Sequence, residues 1–308
     1  MNKNGKFISA ALAIVIAAAS VTVGCDEKTE EKSSTPVETV QTTEPPTEQP
    51  TTVPVYDSYV PSPDGVAEKN KLWQKENKDY TGWIRINNTR VDYPILKDPG
   101  VVQEGQPYYN NKSFEPNSFY LHNNFNRVYE FAGSIFMDYR NNFGGDENSQ
   151  SDNIVLYGHN MLNLTMFGDL RSYYNNYSFW ENASFIELSS NYKDYDYVIC
   201  GNAITSGSGD SDFLYWNMQE FNTEEDFDFF KSKLREKQVF DSGVDFEYSD
   251  KLLTLSTCYG ASENNMRFIL VARRLRDGEI AGDWSTIQRS DEYIQKQKEK
   301  EKTTKEKS

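Results

Sequence analysis

Three residues of types suited to covalent acyl transfer each lie at the end of an apolar, strand-like run. Cys258 ends KLLTLSTC, His159 ends NIVLYGH, and Arg267 follows the first residue pairings of RFILVARRL. A cysteine where a strand meets a loop is held by the strand while its thiol can meet substrate. Histidine suits such a thiol because its pKa lies near neutral pH. The alternative interpretation is a buried and inert cysteine.

The spacing of Cys258 and Arg267 predicts that they lie close together. Arg267 follows Cys258 by nine residues, and YGASENNM between them is typical of a hairpin loop. In an antiparallel hairpin the end of the first strand lies beside the start of the second. A guanidinium there stays charged and offers several donors, so it could stabilise an oxyanion or favour the thiolate. The alternative is a solvated arginine at a strand end.

The other candidate side chains are interpreted as structural. His122, in YLHNNFN, is predicted to be structural or peripheral, and Cys200, among apolar neighbours, to be a packed core thiol. Two His and three Cys without a CxxC are too few for a zinc site of the usual spacing. The acidic run at 144–153 lacks EF-hand spacing, so we expect a solvated turn and no metal. The net charge of -15 argues against a nucleic-acid partner.

The elements that must position these residues are mostly strands. Short apolar or alternating runs between Asn-, Gly- and Asp-rich stretches predict one β-rich domain over 63–290, either a sandwich or a barrel. EKNKLWQKENKDY predicts a helix at its start, with Leu72 and Trp73 facing the domain. TEEDFDFFKSKLREKQ predicts a second helix, capped by Thr223. Its apolar face consists of Phe227, Phe230 and Leu234.

The regions flanking this domain predict export and attachment to a membrane. Residues 1–25 have a basic start and an apolar run, which is typical of a signal peptide or an uncleaved anchor. Cys25 ends a stretch similar to a lipobox and is a candidate for lipidation. Residues 26–62, rich in Thr, Pro and Glu, predict a disordered linker. Residues 291–308 are a charged tail, predicted to be a frayed helix or disorder.

The chain resembles the sortases, and class B sortases in particular, over about residues 73–275. TLSTC with the downstream arginine is a specific signal, and IFMDYRN and YGHNM favour class B. The resemblance implies a mainly β fold, a closed barrel of about eight strands, with a helix at its N-terminus and an extra helix before the cysteine strand. The segments that carry it are WQKENKDYTGWIRI, VDYPIL, AGSIFMDYRN, NIVLYGHNM, MFGDL, TLSTC and RFILVARR.

The resemblance also implies roles for particular residues. Cys258 is then the nucleophile, His159 its acid/base partner and Arg267 the oxyanion stabiliser, while Ser256 and Thr257 line the substrate groove. The implied reaction needs no cofactor. It cleaves an NPxTx-like C-terminal sorting signal of an exported protein after the Thr and transfers the acyl group to a peptidoglycan precursor amine.

The same resemblance implies a monomer anchored at the outer face of the membrane of a monoderm bacterium. We expect the helix before the cysteine strand to wall one side of the groove and so to shape substrate selectivity. Two alternatives remain open from sequence. One is a cysteine peptidase that mainly hydrolyses, because water and amine compete for the same thioester. The other is a non-catalytic, lipid-anchored binding module on the same barrel.

Overall fold

The computed structural model describes residues 65–102, 113–176, 178–260 and 265–307, and its strands close into a barrel. In chain order the strands are β1 (Tyr80–Ile86), β2 (Asp92–Lys97), β3 (Ile135–Met137), β4 (Asn153–Tyr157), β5 (Phe185–Ser190), β6 (Asp194–Ser206), β7 (Leu252–Cys258) and β8 (Met266–Arg274). Around the barrel they follow the order β1-β2-β3-β4-β7-β8-β6-β5, and the pairing of β1 with β5 closes it. The predicted eight-stranded barrel is confirmed.

Five α-helices accompany the barrel in the described part of the chain. They are α1 (Glu68–Glu76), α2 (Arg171–Asn175), α3 (Phe179–Asn182), α4 (Glu224–Glu236) and α5 (Asp291–Lys307). The predicted N-terminal helix is α1, in which Trp73 is buried but Leu72 is 43% exposed. The prediction for Leu72 was wrong because neighbouring helix positions point about 100° apart. The charged tail is helical from Asp291 onward, which is one of the two states expected for it.

The strands bury alternate residues on their two faces. The barrel interior contains Ile154, Leu156, Leu253, Leu255, Phe268 and Leu270. A second cluster, outside the barrel, contains Val155, Leu252, Ile269 and Val271 from the same three strands. Side chains alternate with a period of two along a strand. Continuing this alternation puts Tyr157, Cys258 and Arg267 on the outer face.

Helix α4 covers part of that outer face. Thr223 caps it, and a reciprocal bond with Asp226 completes a capping box, as the sequence predicted for the cap. The predicted apolar face of α4 packs in the outer cluster beside Cys200 of β6. Gly201 permits this close packing, since a Cβ there would lie 2.4 Å from a Leu234 methyl.

The thiol of Cys200 is a core group, as predicted. It is 7% exposed, and its Sγ lies 3.7 Å from the carbonyl oxygen of Val271. Burial raises the pKa of Cys200 to about 12. A thiol with so high a pKa has almost no thiolate at neutral pH, so Cys200 does not compete with Cys258 as a nucleophile.

The described residues contain no helix with the length and apolarity needed to cross a membrane. They also contain no group of three or more His, Cys, Asp or Glu side chains arranged to hold a metal ion. The predicted signal or anchor at 1–25, with Cys25, and the predicted linker at 26–62 lie outside the described residues.

Candidate active site

The strand order brings the three candidate residues to one end of the barrel. Strands β4 and β7 are parallel neighbours, so their carboxyl ends lie at the same edge. Strand β8 runs antiparallel to β7, and its register pairs Arg267 with Cys258. The amide of Gly158 donates to the carbonyl of Ser256 at 3.2 Å, which extends the β4–β7 pairing beyond Tyr157. The backbone of His159 therefore runs level with Cys258, at the strand spacing of about 4.8 Å.

Cys258 is a half-buried, free thiol at the last position of β7. Its carbonyl accepts a hydrogen bond from Asn160 Nδ2 at 2.8 Å. The amide oxygen of Asn160 in turn accepts from Arg171 Nη2 at 2.7 Å. The residue after His159 is thus tied to the backbone of the nucleophile. This tie fixes the distance between the two strand ends.

Ser256 and Thr257 do not present their hydroxyl groups to a groove. Ser256 is 3% exposed, and its Oγ shares a 2.7 Å hydrogen bond with the hydroxyl of Tyr215. Thr257 is 2% exposed, and its Oγ1 donates to the carbonyl of Gly158 at 2.8 Å. Both hydroxyls are used inside the protein, so the expected groove lining is corrected to a positioning role. Together they fix β7 against its neighbours just before Cys258.

The imidazole of His159 is held through one ring nitrogen. Its Nε2 lies 2.9 Å from the carbonyl oxygen of Leu121. A carbonyl can only accept, so Nε2 carries the hydrogen and donates it. In the neutral ring Nδ1 is then the basic nitrogen. His159 can therefore exchange a proton with a reacting group through Nδ1 without losing its anchor.

The environment of His159 favours the neutral imidazole. Burial lowers the pKa of His159 below its ordinary value, and the nearby charge of His122 lowers it further, while the bond to Leu121 acts in the opposite direction. The ring centroids of the two histidines are 5.2 Å apart. His122 is therefore closer to the candidate base than its predicted peripheral place. At neutral pH only a minority of His159 is imidazolium.

The guanidinium of Arg267 keeps its charge uncompensated by a carboxylate in the described residues. Within that part of the chain it makes one hydrogen bond, from Nη1 to the carbonyl of Met266 at 3.1 Å. Gly207 leaves room for it, because a Cβ there would lie 3.0 Å from Arg267 Cζ. Its remaining N–H groups can donate to a charge that develops beside Cys258.

The part of the chain that reaches this site is the loop before α4, residues 207–217. Gly207 packs against Arg267, and Tyr215 bonds to Ser256. Burial is the main reason why the pKa of Tyr215 is raised to about 12, so the phenol stays neutral. Helix α4 itself packs on β6 through its apolar face. The expectation that α4 walls the groove is corrected accordingly, and the loop ahead of it takes that position.

Several residues that shape the site were missed from sequence. Asn160 had a usable signal, because a polar side chain follows the candidate base directly in YGHN. Leu121, whose carbonyl anchors His159, had none, since any residue type supplies a carbonyl. Tyr215 is 41 residues from its partner Ser256, and nothing in the local pattern joins the two.

Known proteins share this fold and this sequence pattern. The family model of the sortase domain matches residues 84–275. Sortase B of Staphylococcus aureus is 30% identical over 204 residues, covering 66% of this chain and 73% of that protein. Sortase B of Listeria monocytogenes is 34% identical over 185 residues, covering 60% of this chain and 65% of that protein. A solved Staphylococcus aureus sortase B–substrate complex matches with a TM-score of 0.56 and 29% identity, covering 70% of this chain and 88% of that one.

A closed eight-stranded barrel with a half-buried cysteine at a strand end, within a chain matched by these relatives, defines a cysteine transpeptidase. The chain belongs to the sortase family, and within that family to class B. The alternative of a non-catalytic binding module is therefore set aside.

Proposed function

We propose that this enzyme cleaves an NPxTx-like C-terminal sorting signal of exported proteins after its Thr and transfers the acyl group to a peptidoglycan precursor amine. The observation that carries the proposal is the convergence of Cys258, His159 and Arg267 at one end of the barrel. Sortases act on sorting-signal substrates with amine acceptors. A groove beside these three side chains offers a nucleophile, a proton carrier and a fixed cation to one scissile bond.

In the first half of the proposed reaction, the Cys258 thiolate attacks the carbonyl carbon of the substrate Thr. The carbonyl oxygen becomes an oxyanion, and the charge of Arg267 stabilises it. His159 gives its Nδ1 proton to the departing amine, and the carbon–nitrogen bond breaks. The products are a thioester on Cys258 and the free C-terminal fragment of the signal, which leaves with the new amine.

In the second half, the acceptor amine attacks the thioester carbon. His159, now neutral, takes the proton that the amine loses, and Arg267 again faces the oxyanion. The carbon–sulfur bond breaks, Cys258 leaves as thiolate, and a new amide joins substrate to acceptor. Atoms and charges balance without a metal or organic cofactor. Water at the same step gives hydrolysis, which is the remaining alternative activity.

Selectivity for the signal is proposed to arise from the loop at 207–217. Its contacts with Arg267 and with Ser256 put it beside the reacting groups, which supports this role. We expect the purified enzyme to prefer an NPQTN-like peptide over an LPETG-like peptide in direct competition at equal concentration. The measurement is the ratio of kcat/KM values, with Cys258→Ala as the blank.

A preference of about 10-fold for the LPETG-like peptide corresponds to about 1.4 kcal/mol of transition-state discrimination in the wrong direction. That result would overturn the substrate proposal and leave the transfer chemistry in place. Repeating the assay with and without oligoglycine and diaminopimelate amines separates transfer from hydrolysis. A product that is hydrolysed in equal amount with and without every amine would favour the peptidase alternative.

We propose further that residues 1–25 export the chain and hold it at the membrane with the barrel outside the cell. The apolar run in this segment is the support for the proposal. In cell fractionation, loss of membrane retention in a Cys25→Ser variant is the expected result for a lipid anchor. Unchanged retention is expected for an uncleaved helix. A wild-type chain found free in the cytoplasm would contradict both modes.

A further inference from the structure

A second histidine lies against the candidate base, and the mechanism above does not use it. The rings of His122 and His159 are 5.2 Å apart and tilted by 31°. Phe131 stacks on His159 at 5.8 Å, with only 9° between the ring planes, and on His122 at 6.0 Å. The three rings are thus mutual neighbours. One face of the His159 ring rests on Phe131, so its rotation is restricted.

One segment of the chain supplies all the contacts that hold these rings. Leu121 accepts the hydrogen bond from His159 Nε2, and His122 follows it directly. The Nδ1 of His122 lies 3.3 Å from the carbonyl oxygen of Phe131, and the His122 carbonyl accepts from the amide of Glu130. His122 therefore joins the two sides of this loop. Its Nδ1 donates, which leaves Nε2 as the nitrogen that can gain a proton.

The charge state of His122 acts on His159 across this short distance. Two cations separated by about 5 Å repel each other, and the repulsion is stronger where both rings are partly shielded from water. Among the described residues, His122 is the titratable group whose charge lowers the pKa of His159. The charged or titratable side chains of the surrounding elements are Arg127, Tyr129, Glu130, Arg171, Cys258 and Arg267.

We propose that His122 is a positioning residue for His159, which holds the imidazole ring for proton transfer and, when itself protonated, limits the imidazolium available in mildly acidic conditions. The inference rests on the proposed function of His159. Its charge arm, however, concerns the free enzyme and is measured without substrate. The sign follows from like-charge repulsion. Removing the His122 charge makes His159 easier to protonate.

The first test uses the fact that the chain contains only two histidines. Full-length protein labelled with carbon-13 at the histidine Cε1 gives two signals, which are followed by NMR from pH 4 to 9. In His122→Gln, the remaining signal belongs to His159. We expect its pKa to lie roughly half a unit to two units above the lower of the two wild-type transitions. Glu130→Gln, which alters a neighbouring charge on the same segment, serves as the matched control and should leave the His159 titration in place.

The second test separates positioning from charge. His122→Ala removes both the ring and the proton site, and we expect kcat to fall about tenfold with a smaller change in KM. His122→Phe keeps a ring against His159 and Phe131 but cannot be protonated. It should restore kcat to within about threefold of wild type at the optimum pH. Thermal unfolding checks that each variant is folded.

The inference is overturned if the His159 titration is the same in His122→Gln and in wild type, or if His122→Ala keeps wild-type kcat. A failure of the proposed function has a different signature. In that case no variant and no wild-type sample transfers an acyl group, while the two histidine titrations remain coupled.

Discussion

Replacing Cys258 with alanine is expected to abolish both cleavage and transfer while the barrel stays folded. The thiol is half-buried at the end of β7, and the described bonds of this residue that hold the strand run through its backbone. Alanine keeps that backbone and removes the sulfur on which the thioester forms. Turnover should drop to the level of a mock preparation, and thermal unfolding should change little.

The matched control is Cys200→Ala, which removes the other cysteine of the described barrel. Its thiol is buried and inert, so activity should persist, with a loss in stability of about 1 kcal/mol from the small cavity. Turnover that survives in Cys258→Ala would remove the nucleophile from the account. Turnover that vanishes equally in Cys200→Ala would show that the assay reports folding and not chemistry.

Alanine at His159 or at Arg267 is expected to lower kcat/KM by at least about 10²-fold, the scale typical of losing a proton carrier or an oxyanion donor. Arg267→Lys keeps a positive charge but loses the planar fork, so its activity should lie between alanine and wild type. The measurement is steady-state kinetics with the preferred signal peptide and a saturating amine.

The control for this pair is Arg85→Ala on β1. That arginine is exposed and lies 3.9 Å from Glu187, a weak surface pair. Its loss should change turnover by less than about twofold. An Arg267→Ala enzyme that keeps kcat/KM within about threefold of wild type would mean that the oxyanion is stabilised elsewhere. An effect of His122→Ala equal to that of His159→Ala would mean that the base is misassigned.

The pattern of the strands was the part of this molecule most readable from sequence. Alternation with a period of two and the short loop after Cys258 were enough to predict that Arg267 is its cross-strand neighbour. The cap and apolar face of α4 were also predictable, because both depend on residues within a few turns of each other. Local patterns thus gave the positions of two of the three candidate residues relative to each other.

The remaining features depend on contacts between distant parts of the chain. The closure of β1 on β5, the order of strands around the barrel and the parallel pairing of β4 with β7 are all non-local. They decide that His159 reaches Cys258. The burial of Ser256 depends on Tyr215, and the anchor of His159 is a backbone carbonyl, which has no signature in residue type. The family resemblance supplied the three-residue site, whereas its internal supports became visible only in the fold.

The central claim is that acyl transfer passes through a thioester on Cys258, and intact-protein mass spectrometry tests it directly. The enzyme is mixed with an excess of signal peptide without amine, quenched in acid, and weighed before and after digestion. The account predicts a mass increase equal to the acyl part of the peptide up to its Thr, located on the fragment that contains Cys258. The adduct should disappear when an acceptor amine is added before the quench, and it should be absent in Cys258→Ala. Product formation with no such adduct, or with an adduct on a fragment lacking Cys258, would contradict the account.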